Sequence, residues 1–123
     1  MRVVIVDSDL KAGRKLAASV EELVPTADVL LYADPQEALT GITSHEPDVA
    51  FVGMSVNGTA GPEFVAQARA ANDAPKYVGV VDTPGPDASI AWISAGAKLV
   101  VARPVDRLGI RSALRHTGGG IDG

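Results

Sequence analysis

Four short polar clusters, each following an apolar run, carry the groups that could do chemistry in this chain. Asp7-Ser8-Asp9 follows Arg2–Val6, and Gly53 follows Val49–Val52. Asp82-Thr83 follows Tyr77–Val81, and Arg103-Pro104 follows Leu99–Ala102. Carboxylates at Asp7 and Asp82 suit a hard cation or a charge partner. Arg103 offers a planar fork of donors to a carboxylate or phosphate. What is missing is a nucleophile with a base beside it. The chain has no cysteine, no Ser-His-Asp set and no His/Asp cluster at metal spacing, and His45 and His116 stand apart from the four clusters. The acidic Asp7-Ser8-Asp9 would repel the phosphate that a glycine-rich loop cradles. The chain therefore reads as a binding or regulatory protein and not as an enzyme.

The clusters need elements to bring them together. Five runs rich in Val, Ile or Leu recur: Arg2–Val6, Val29–Tyr32, Val49–Val52, Tyr77–Val81 and Leu99–Ala102. Near-continuous apolar strands without alternation are what a parallel sheet covered on both faces requires. Helical stretches separate them. Asp9 to Leu23 carries Leu16, Val20 and Leu23 at helical spacing, with Ser8 or Asp9 as cap. Asp34-Pro35 opens a second helix with Ala38, Leu39 and Ile42 inward, and Gly61-Pro62 a third that runs through Ala70. Pro86-Asp87 opens a fourth that ends at Ala95-Gly96, and Asp106 caps a last one that ends near His116. Alternation of this kind implies right-handed crossovers and an open α/β sheet with helices on both faces. Ligands and reactive groups of such sheets lie beyond the carboxyl ends of the strands, where all four clusters fall.

Composition narrows the function classes. A chain of 123 residues suits one domain. A net charge of −4 argues against nucleic-acid binding by this domain. No apolar run approaches the ~20 residues of a membrane span, and Val3–Val6, cut short by Asp7, is no signal peptide. A cytoplasmic location is the default expectation. Residues 1–116 read as the domain, and the glycine-rich 117–123 as a tail or the start of a linker.

The combination resembles the receiver domain of two-component response regulators, over essentially the whole chain. Pro47-Asp48 before the third strand, Gly61 at the start of the third helix, and Ala95-Gly96-Ala97 ahead of Arg103-Pro104 fit that pattern without gaps. The resemblance implies a CheY-like, flavodoxin-like (βα)5 three-layer sandwich with parallel strand order 2-1-3-4-5. It also implies a chemistry: an aspartate takes a phosphoryl group from phosphohistidine, Mg²⁺ held by an acidic pair neutralises it, and a lysine and a hydroxyl bind its oxygens. This chain departs from that set. The phosphoacceptor position falls on Gly53, the acidic pair on Asp7 and Ser8, the hydroxyl position on Val81 and the lysine position on Arg103, while Pro104 is kept. The switch aromatic falls on Val100.

Each position also has a plainer reading. Gly53 alone is a strand-end glycine that permits a tight turn. Asp7 is a structural remnant bonded to loop amides or a weak metal ligand, and Mg²⁺ binding is expected to be weak or absent. Ser8 and Asp9 read as caps, and Asp82 as a turn residue or a second oxygen near Asp7. Arg103 is expected to lie over Asp7 as an ion pair. On the fourth helix Ile90 and Ile93 read as the inward stripe. Trp92 is then a partly exposed interface anchor, or else packs against the loop after Val81. Arg107, Arg111 and Arg115 share one face of the last helix, either solvated or a stripe for an acidic partner.

Two function classes follow. The first is a non-phosphorylatable pseudo-receiver that acts through protein contacts in signal transduction or transcription regulation. It would be the amino-terminal domain of a larger regulator, with a DNA-binding output domain downstream and a homodimer through the fourth helix, fifth strand and fifth helix. The alternative is a small-ligand sensor that uses the degenerate crevice, with Asp7, Asp82 and Arg103 as its polar groups.

Overall fold

The apolar runs form one parallel sheet. In the computed structural model, which describes residues 1–83 and 85–116, β1 (Arg2–Val6) lies between β2 (Asp28–Tyr32) and β3 (Val49–Val52). β3 pairs in turn with β6 (Lys76–Val81), and β6 with β7 (Leu99–Ala102), all parallel. The order β2-β1-β3-β6-β7 is the expected 2-1-3-4-5, renumbered by a hairpin that the sequence reading missed. That hairpin is β4 (Ser55–Val56) and β5 (Thr59–Ala60), joined by Asn57 and Gly58. Both turn residues have positive φ, 46° and 90°, the geometry that Asn-Gly supplies in two-residue hairpins.

Five helices complete the layers: α1 (Leu10–Leu23), α2 (Pro35–His45), α3 (Gly61–Ala71), α4 (Pro86–Ala95) and α5 (Arg107–His116). Caps set three of the starts. The Asp9 carboxylate accepts the Ala12 N–H, Asp34 accepts that of Glu37, and Asp106 accepts that of Gly109. Alternate strand residues feed two cores. Val3, Ile5, Val49, Phe51, Val78 and Val80 pack with Leu16 and Val20 of α1 and Ile110 and Leu114 of α5. Val4, Val6, Ala50, Val52, Tyr77 and Val81 pack under α2, α3 and α4. Burial on both faces explains why the strands read as unbroken apolar runs. Along α2, Ala38, Gly41 and Ile42 are buried and Leu39 only partly so.

The fourth helix is turned about its axis relative to the sequence reading. Ile90 and Ile93 are 62% and 50% exposed, and Trp92 is 3% exposed. Three large apolar residues compete for one inward line on this short helix, and the site beneath them decides. Gly79 on β6 and Gly61 at the start of α3 leave a seat that the indole fills. A Cβ at Gly79 would stand 2.5 Å from Trp92 Cδ2, and one at Gly61 would also meet the ring. Trp92 is thus buried and not a partly exposed anchor.

No helix among the described residues is long and apolar enough to cross a membrane. The expected tail or linker at 117–123, and the side chain of Arg115 in the proposed basic stripe, lie outside the described residues.

Candidate functional site

Strand ends deliver the polar clusters to one edge of the sheet. Asp7 follows β1, and its N–H continues the ladder to the Tyr32 carbonyl (3.0 Å). Gly53 follows β3 and donates to the Val6 carbonyl (2.8 Å), which sets it beside Asp7. Arg103 follows β7, and its N–H donates to the Val81 carbonyl (2.7 Å). The Arg103–Pro104 peptide is cis.

Among the described residues Asp7 is the buried charged one, with a side chain only 9% exposed. Its Oδ1 accepts the Asp9 N–H at 2.9 Å, and its Oδ2 accepts from Arg103 Nη2 at 3.1 Å. The expected ion pair is therefore formed. Arg103 does more than that: Nη1 lies 3.7 Å from Asp9 Oδ2, and Nε lies 3.4 Å from Asp82 Oδ1. One guanidinium draws together three carboxylates from two loops. Asp9 both caps α1 and faces Arg103, so its reading as a cap alone is incomplete. Asp82, read as a turn residue or a second oxygen near Asp7, faces the same cation.

Gly53 is explained by the space around it. A Cβ built there would stand 2.6 Å from Asp7 Cγ and Oδ2. Carbon contacts that short do not occur, so the Asp7 carboxylate occupies the room that any side chain at 53 would need. Ser8 does not join the cluster: its Oγ donates to the Ser55 carbonyl (2.8 Å) and ties the β1–α1 loop to the hairpin. Val81 is buried in the core under α4, and Val100 packs partly buried against the same core. Pro104 is exposed at the head of the β7–α5 loop. A cleft of about 690 Å³ runs from Asp7, Asp82 and Arg103 between α1 and that loop, with Leu16, Val80 and Val105 in its walls. Arg107 pairs with Glu22 of α1 at the surface, and Arg111 is exposed.

Burial pushes the Asp7 carboxyl above its ordinary value; the Asp9 amide and Arg103 pull it down, and the Asp9 and Asp82 carboxylates add to the rise. The folded state therefore holds this proton more tightly than the unfolded chain does. Its stabilising contribution is complete at pH values below the unfolded pKa and is lost as pH rises through the folded one. Asp7→Asn has no such titration. Urea unfolding between about pH 3.5 and 7 should show the variant gaining on the wild type as pH rises. A constant difference, or one of the opposite sign, would contradict the assignment.

No protein-family model matches the chain, and no curated protein matches it in sequence. Solved structures do match its shape. A two-component response regulator from Clostridium difficile superposes with a TM-score of 0.85 at 15% identity, over 100% of this chain and 99% of that one. The signal receiver domain of a DNA-binding response regulator from Colwellia psychrerythraea 34H gives 0.83 at 16% identity, over 94% and 95%. A LuxR-family two-component response regulator from Aurantimonas sp. SI85-9A1 gives 0.82 at 21% identity, over 95% and 85%. The chain has the receiver fold. Within that fold the cluster of Asp7, Gly53 and Arg103 sits at the carboxyl edge of the sheet, where the sequence resemblance placed the phosphorylation chemistry. Identity this low carries the fold alone. The sequence reading missed Met54 altogether. Its only signal there was adjacency to Gly53, yet its Sδ accepts the Asp82 N–H at 3.2 Å.

Proposed function

We propose that this chain is a pseudo-receiver: a regulatory protein–protein interaction module with the receiver fold that takes no phosphoryl group. The observation that carries the reading is the packing of Asp7 into the space beside Gly53. Gly53 offers no nucleophile, and the neighbouring carboxylate leaves no vacancy for one. The donor set does not fit Mg²⁺ either. Both oxygens of Asp7 are engaged, Ser8 turns to the hairpin, and a guanidinium already stands among the remaining carboxylates. Val81 lacks the hydroxyl, and Val100 the aromatic ring, through which a phosphorylated crevice would signal.

Regulation then rests on contact. The face formed by α4, β7 and α5 supports a second copy of the chain as partner. Ile90 and Ile93 on α4 and Leu108 on α5 are exposed around an edge strand whose outer backbone is unpaired in the sheet. A two-fold pairing of such an edge is self-complementary. In this reading the domain is the amino-terminal part of a larger signalling or transcription regulator, and a DNA-binding output domain is the continuation the fold suggests.

Acetyl phosphate with Mg²⁺, followed by intact mass measurement, tests the central statement. The expected result is an unmodified protein and an unchanged Trp92 emission on addition of beryllofluoride. A stoichiometric phosphoprotein, or a large Mg²⁺-dependent spectral change, would overturn it.

A further inference from the structure

We propose that Met54 is a methionine-oxidation site through which a peroxide displaces Asp82 and alters the carboxylate cluster behind it. The proposal is independent of whether the crevice accepts a phosphoryl group. With no cysteine in the chain, reversible two-electron chemistry at sulfur falls to Met1 and Met54. Met54 is 46% exposed, so an oxidant reaches it from solvent.

Its sulfur is also a structural contact. Met54 Sδ accepts the backbone N–H of Asp82 at 3.2 Å and so links the loop after β3 to the loop after β6. A thioether is a weak acceptor. The Asp82 carboxylate lies 3.4 Å from Arg103 Nε, and Arg103 holds Asp7 at 3.1 Å. The oxidation state of one sulfur is therefore three contacts away from the buried carboxylate.

The reaction balances with one co-reactant. The sulfur attacks a peroxide oxygen, the O–O bond breaks, an S–O bond forms, and hydrogen peroxide leaves as water while the sulfur loses two electrons. The product is a polar sulfoxide, which a methionine sulfoxide reductase returns to the thioether. Its oxygen projects beyond the sulfur toward solvent or toward the Asp82 amide. The backbone of Met54 has little freedom to absorb the change. The Gly53 N–H is bonded to Val6, and the Met54 carbonyl accepts the Gly61 N–H at 2.9 Å. The displacement falls on Asp82 and moves it relative to Arg103.

The test treats the ¹⁵N-labelled full chain with hydrogen peroxide, maps the added oxygen by peptide mass, and follows backbone amides and the Arg103 Nε–H by NMR. Met54 should take up oxygen at least as fast as Met1. The Asp82 amide and Arg103 Nε–H signals should shift as it does, and reductase should restore them. Met54→Leu, close in size and without sulfur, should show no peroxide-dependent shift at Asp82 or Arg103. Oxidation of Met1 while Met54 stays reduced would overturn the proposal. So would an oxidised Met54 with unmoved Asp82 and Arg103 signals, or the same shifts in Met54→Leu.

Discussion

Gly53→Asp is expected to yield a less stable protein that still takes no phosphoryl group. The new Cβ would enter space held by the Asp7 carboxylate, 2.6 Å from its Cγ. Asp7 would have to swing away and give up its bonds to the Asp9 amide and to Arg103. Overpacking of this kind costs roughly 1–3 kcal/mol. A hydrogen bond to a charged group adds about 1.5–3 kcal/mol where it is lost outright. With one such bond lost, a destabilisation of about 2.5–6 kcal/mol is expected in urea unfolding. Gly53→Ala separates sterics from charge and should cost about 1–3 kcal/mol. In an Asp7→Ala background the cost of Gly53→Ala should largely vanish, since the atoms in its way are gone. Equal costs in both backgrounds would show that Asp7 does not fill the space. Phosphorylation of Gly53→Asp by acetyl phosphate would show that the missing carboxylate is the crevice's only defect.

Trp92→Ala should be the most damaging single truncation in α4, at about 3–5 kcal/mol. The ring fills a seat made by Gly79 and Gly61, and no neighbour can collapse into a hollow whose floor is backbone. Gly79→Ala attacks the same contact from below and should also destabilise, because the new methyl group meets the indole at 2.5 Å. Ile90→Ser and Ile93→Ser, at exposed positions, should leave the unfolding midpoint within about 0.5 kcal/mol of the wild type. Sedimentation velocity on the same two variants reads the contact proposed for this face: a dimer in the wild type that dissociates in the variants supports it. A large loss of stability in Ile90→Ser with little in Trp92→Ala would return α4 to the orientation first read from the sequence.

The sequence carried the frame of this molecule because its strands are buried on both faces. Val3 to Val6 and Val49 to Val52 read as unbroken apolar runs, and Asp34 and Asp106 mark helix starts by a hydrogen bond that local sequence specifies. The Asp7–Arg103 pair was legible for a topological reason, since parallel strands bring their carboxyl ends to one edge. What failed was whatever depends on distant residues. Ile90, Trp92 and Ile93 are all apolar, so periodicity could not choose among them. The choice is made by Gly79 and Gly61, which become neighbours of α4 only in the fold. Asp9 and Asp82 looked like local caps and turns because their common partner lies beyond β7. The hairpin at 55–60 has strands too short to show a pattern, although its Asn-Gly turn was in plain view.

The packing of Asp7 against Gly53 makes the order of substitution matter. A side chain at 53 is admitted only after Asp7 has turned away, and Asp7 turns away only after Arg103 has let go. The three positions are therefore coupled, and a phosphoacceptor at this edge of the sheet would need them to change in concert.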